Sequence, residues 1–483
     1  MNVALLGPEI VLVGLGLALL LVDLVVPDER RRWLGVVAAI FAFALFLHQA
    51  SLSGQVMEPL HAFGGMFVQD GLAVFFKALF LLAGSIVLLL AVEVFGRAPS
   101  GVTEYFVLTL FAMAGMLLAA SANDFAVMYV ALELVTVTFY VLTSYHRTRV
   151  ASLEAGVKYL ILGALSSAFM VYGIALCFGA SGTMSFVELA ARSEELADNR
   201  LFQLGMLLVL GGLTFKIALF PFQVWAPDVY EGAPTPTTAF LAIGSKAAGV
   251  VLLVRLLGGV LPDLAMRWET LFMAIAAISI LYGSLCALPQ RRLRRLLGYS
   301  SVANGGFVMI GVATVSAAGS AAVLFYLAAY LFTVLAAFLV VSAVVERAGT
   351  DDIDALRGLH RRSPFLALAL ALAMVSLAGV PPLAGFFGKF LVLQALVEQG
   401  VSWSRWYWLG AVAILGVAIS FWYYFGVVRA VYTSAESADE EPLPVAPLTR
   451  LALAACVGGI FYLGIYPGPV WDAARAAVAG LGL

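Results

Sequence analysis

The chain has 483 residues, 63% of them hydrophobic and only 12% charged, with a mean hydropathy of +1.02 and a formal net charge of −2. Soluble domains carry about 25% charged residues, so this composition belongs to a polytopic membrane protein. The net charge of −2 implies no nucleic-acid or polyanion partner; the surrounding partner that the hydropathy implies is the lipid bilayer. Fourteen apolar segments follow one another, each near the roughly 20 residues a helix needs to cross a bilayer. They run 3–25, 33–52, 71–95, 104–121, 124–145, 155–179, 202–220, 236–260, 268–289, 296–316, 320–346, 364–398, 407–433 and 449–467, and a short amphipathic tail closes the chain at 469–482. The first segment lacks a basic leader and a small-residue cleavage site, so it reads as a span and not as a signal peptide. Cys177, Cys286 and Cys456 stand alone in apolar stretches, without CxxC or metal-ligand spacing.

The arginines set the expected orientation. Connections after odd-numbered spans hold most of them, among them Arg30, Arg97, Arg147, Arg292 and Arg362. Connections after even-numbered spans, with the tail, hold only Arg192, Arg200, Arg267, Arg405 and Arg475. Positively charged loops stay inside, so the odd side is expected in the cytoplasm and both termini outside. The acidic run 436–441 reads as a solvated cytoplasmic loop.

Two spans read as broken. In the first, Pro221 follows Lys216 by five residues; in the second, Pro381 and Pro382 precede Lys389. Proline removes a donor and clashes with the preceding turn. Unwound backbone survives at membrane depth only where protein or a wet cavity covers it. Two such breaks five spans apart, each beside a lysine, suggest two structural repeats with a site in each.

All five lysines lie inside apolar segments: Lys77, Lys158, Lys216, Lys246 and Lys389. Charged groups at such depth usually line ion or proton paths. Lysine gives up its proton when desolvated, which arginine does not. Lys216 and Lys246 lie too deep for snorkelling and read as functional; Lys389, which follows the proline break and sits in Gly-Lys-Phe, reads the same way. Glu133 lies about nine residues into its span, roughly 14 Å and near the bilayer midplane. A protonated carboxyl gluing two helices is the bland alternative there. Lys158 is shallower, with Glu154 four residues before it in the favourable order; an ordinary helix pair competes with a functional role. Lys77 and Arg255 lie near the outer helix ends and read as snorkelling side chains. His48, His61, His146 and His360 fall at span ends or in loops, away from a mid-membrane relay.

Several long strings resemble the N subunits of bacterial respiratory complex I, the NADH:quinone oxidoreductase. They are Ser152-Leu-Glu-Ala-Gly-Val-Lys-Tyr-Leu-Ile-Leu-Gly-Ala-Leu-Ser-Ser167, the stretch from Lys216 through Trp225 to Pro236, Leu297-Gly-Tyr-Ser-Ser-Val-Ala303, Leu356 to Pro364, and Leu377 to Lys389. The resemblance implies an all-α, antiporter-like fold with two inverted five-helix repeats. It divides the chain into three N-terminal helices (1–100), a first repeat (101–260), a second repeat (261–434), and a last helix with its tail (435–483). It also implies roles: Glu133 and Lys216 as the buried pair of the first half, Lys158 in the following helix, Lys246 as the link, and Lys389 as the terminal lysine. The related M subunits carry glutamate where this chain has Lys389. Two positions depart from the family, which commonly has histidine at Gln223 and at Asn304; water held by these amides is the expected substitute.

The reading is therefore a proton-carrying subunit of a translocase, embedded in the bacterial inner membrane. It would hold no cofactor itself, with NADH, FMN, iron–sulfur clusters and quinone in partner subunits. Those partners would be the antiporter-like M and L subunits and small membrane subunits. The alternatives are a subunit of a Mrp-type cation/proton antiporter or membrane-bound hydrogenase, and a membrane scaffold whose lysines only glue helices.

Overall fold

A computed structural model describes residues 2–53, 58–96, 100–402, 404–433 and 442–481. The acidic run 436–441 and Arg97 lie outside the described residues. Among the described residues, thirteen helices are long and apolar enough to cross a membrane, from Val3–Asp23 to Pro447–Ile465. The broken pair Pro364–Ala378 and Ala384–Ser402 supplies a fourteenth crossing. Long apolar side chains such as Leu21, Ile40, Ile161 and Trp422 lie exposed on the outside, where lipid is the solvent. Beside the helices, a small antiparallel hairpin pairs Leu60–Ala62 with Phe67–Gln69.

Helix starts follow the capping residues. Asp70 accepts from the Ala73 amide at 2.8 Å to open Gly71–Phe95, and Asp124 accepts from the Ala126 amide at 2.7 Å to open Phe125–Thr143. Asn199 caps Arg200–Ile217 with bonds of 3.0 and 3.1 Å. Each satisfies an amide that the helix geometry leaves without a partner. Small residues let neighbouring helices touch. A Cβ on Gly173 would stand 2.5 Å from the Gly205 carbonyl, so Val150–Ser181 and Arg200–Ile217 meet backbone to backbone.

Both expected breaks are present. The first helix ends at Ile217, Ala218 turns left-handed at φ 60°, and the chain resumes as the short helix Trp225–Gly232. The second ends at Ala378, with Gly379 at φ 92°, and resumes at Ala384. Between these breaks runs Thr235–Val260, buried along its whole apolar window. It widens twice into π turns, at Leu241–Ser245 and Val254–Val260. Such turns are rare and concentrate at functional sites; the first ends immediately before Lys246.

Candidate functional site: a row of buried lysines

Lys216 occupies the last turn of its helix, just before the break, and is only 2% exposed. Its ammonium donates to the Thr136 hydroxyl, which in turn donates to the Leu132 carbonyl at 2.6 Å. Glu133 lies one turn before Thr136 but accepts from the Ser167 hydroxyl instead. The expected direct Glu133–Lys216 ion pair is thus not made. Each side chain has its own uncharged partner. Thr136 was legible in principle, since residues three apart share a helix face. Ser167 gave no such local signal.

Lys246 is 2% exposed and donates to the Ser301 carbonyl. Gly305 adjoins its head: a Cβ there would stand in ordinary contact with Nζ, at 3.5 Å. Lys389 is 6% exposed and donates to the carbonyls of Leu377 at 2.7 Å and Ala378 at 3.2 Å. These are carbonyls that the end of Pro364–Ala378 leaves unpaired, at the negative end of the helix dipole. The break therefore makes the cation site. No carboxylate within 4 Å pairs with Lys216, Lys246 or Lys389 among the described residues.

Lys158 differs. It is half-exposed and pairs with Glu154 and Asp228, both at 2.8 Å. Asp228 also holds Arg295 at 2.7 Å. These groups line a vestibule of about 510 Å³ together with His146, Glu231 and Arg294, on the arginine-rich side. Burial, with Arg149 and Arg294 nearby, pushes the His146 imidazole down to about 4. The i,i+4 pair with Glu154 is present, and Asp228 adds a partner from the half-helix after the first break.

Three expectations need correction. Lys77 does not snorkel: it is fully buried, pairs with buried Glu9 at 2.8 Å and donates to Gln69 at 2.8 Å. Arg255 does not snorkel either. It is 4% exposed and forks onto Asp70 at 2.7 and 3.0 Å. Both pairs join residues far apart in sequence, Asp70 and Arg255 by 185 positions, so helical periodicity could not show them. The third concerns Asn304. Its amide nitrogen donates to the Ser300 carbonyl at 2.8 Å and its oxygen accepts from the Tyr326 hydroxyl at 2.6 Å. Protein groups, not water, satisfy it. Gln223 stands otherwise: it is buried with its Oε1 unpartnered by protein.

Comparison with known proteins agrees with this architecture. The profile of the family "NADH:quinone oxidoreductase/Mrp antiporter, TM" matches residues 122–419. The NADH-quinone oxidoreductase subunit N of Moorella thermoacetica is 38% identical over 474 residues, covering 97% of each chain. A chain of respiratory complex I from Thermus thermophilus with bound aureothin superposes with a TM-score of 0.80 at 33% identity, over 97% of this chain and 99% of that one. A chain of the Mrp complex from a Dietzia species superposes with a TM-score of 0.86 at 20% identity, over 100% of this chain and 98% of that one, a likeness of fold.

Proposed function

The chain belongs to the NADH-quinone oxidoreductase subunit N family, and we propose that it carries protons across the bacterial inner membrane through Glu133, Lys158, Lys216, Lys246 and Lys389. One observation carries this reading: three ammonium groups are buried at or beside irregular helix turns, and each donates to a neutral oxygen instead of a carboxylate. A lysine buried for structure alone would be paired, as Lys77 is with Glu9. Burial disfavours the charged form and a nearby carboxylate favours it. Moving Glu133 between Ser167 and Lys216 therefore changes how tightly Lys216 holds its proton.

Protons enter at the vestibule around Lys158 and pass by Lys216 and Lys246 to Lys389. The repeats 101–260 and 261–434 supply one broken helix each. The vestibule side is cytoplasmic and both termini are periplasmic, by the distribution of arginine. The chain is a non-redox part of the translocase. Quinone reduction in a neighbouring module supplies the energy, with NADH, FMN and iron–sulfur chemistry in partner subunits and the M and L subunits alongside. Lys216→Ala and Glu133→Ala in purified, fully assembled complex test this: each should cut proton uptake into proteoliposomes at least severalfold, and wild-type uptake would overturn it.

A further inference from the structure

We propose that Tyr330 and one water in the cavity beside it carry the proton from Lys246 to Lys389, an assignment that rests on the lysine pathway above. Tyr330 lies buried on helix Ala317–Ala348. Its ring centre is 5.8 Å from Lys246 Nζ. Its side chain also interacts with Ser301, whose carbonyl takes the Lys246 ammonium. At the other end, Tyr330 lines a small cavity with Tyr326, Thr333, Ser376 and Lys389. One side chain therefore reaches both lysine sites.

The cavity offers about 10 Å³ of space to water centres, close to the room that one molecule needs. A held water also needs about 2–4 polar partners. Thr333 Oγ1 and Ser376 Oγ, 3.2 Å apart, supply two. Lys389 supplies a third, because its two backbone bonds leave one position on nitrogen unused. That position is a lone pair in the amine and an N–H in the ammonium. Asn304 cannot do this work. Its amide is committed to Ser300 and Tyr326, and an amide does not titrate. Its bond holds Tyr326 as a fixed wall, with the Tyr326 proton turned away from the water.

In the transfer, the Ser301 hydroxyl, which stands 3.1 Å from the Tyr230 oxygen, turns to Lys246, takes its proton and gives its own to the Tyr330 oxygen. The Tyr330 hydroxyl gives its own to the water, and the water gives one to the Lys389 amine. Four bonds to hydrogen break and four form. Lys246 is left neutral, Lys389 becomes an ammonium, and the serine, tyrosine and water are restored.

The test uses the whole complex in proteoliposomes, with Lys389→Ala as the marker of the pathway itself. Tyr330→Phe should lower proton uptake tenfold or more at normal assembly, and Tyr330→His should recover part of it. Thr333→Val, on the opposite wall, should lower uptake severalfold. A high-resolution map of the assembled complex should show water density within hydrogen-bond distance of Lys389 Nζ. Normal uptake by Tyr330→Phe beside a defective Lys389→Ala overturns the inference and leaves the pathway standing. Normal uptake by both overturns the pathway as well. If Tyr330→Phe does not assemble, normal uptake by Thr333→Val or absence of the water density overturns the inference.

Discussion

Thr136→Val removes the acceptor that holds Lys216 apart from Glu133. The residue is nearly the same size, so packing against the buried helices is kept while the hydroxyl goes. A hydrogen bond to a charged donor contributes about 1.5–3 kcal/mol, and each 1.4 kcal/mol is about tenfold in an equilibrium. The preference of Lys216 for its separated position should therefore fall by roughly ten- to a hundredfold, and the ammonium should move toward Glu133. Ser167→Ala acts from the other side, since it frees Glu133 of its own partner. Both variants should accumulate the direct pair and slow proton uptake, measured in proteoliposomes against the rate of NADH oxidation. Thr136→Ser keeps the hydroxyl and should keep the rate. Infrared difference spectra report the Glu133 carboxyl directly. If Thr136→Val complex assembles fully and pumps at the wild-type rate, the separated arrangement is not a working state of the site.

Three further outcomes follow from particular contacts. Breaking the buried Glu9–Lys77 pair from one side should cost about 3–5 kcal/mol. Lys77→Met should therefore reduce the yield of assembled complex, and Lys77→Met with Glu9→Leu should restore it without changing pumping per complex, read by yield and uptake together. Lys389→Arg keeps a donor for the Leu377 and Ala378 carbonyls but cannot release a proton, so uptake should fall as far as in Lys389→Ala while thermal stability stays closer to wild type. His146, held neutral down to about pH 4, binds no proton in the folded protein where the unfolded chain, with a value near 6.5, does. Its contribution is intact above that value and is lost as pH falls from about 6.5 toward 4. His146→Gln should flatten that part of the melting-temperature profile and leave the pH dependence of pumping unchanged.

The crossings and the breaks were legible because both are local properties. Twenty apolar residues need a bilayer wherever they occur, and Pro221 or Pro381 interrupts a helix whatever surrounds it. The lysines were legible for the same reason: an ammonium at that depth is unusual by position alone. Their partners were not. Ser301 and the Leu377 carbonyl are supplied by the backbone, which every residue carries, so the sequence holds no mark of them. Lys77 shows the reverse error. Its distance from the helix end suggested a side chain reaching for water, but Glu9 from another helix meets it first. Depth along a span measures the cost of a charge, and only the packing of other spans decides whether a carboxylate offsets that cost. At buried Lys77 one does; at Lys216, Lys246 and Lys389 a neutral oxygen stands instead, which is the condition the proposed proton pathway requires.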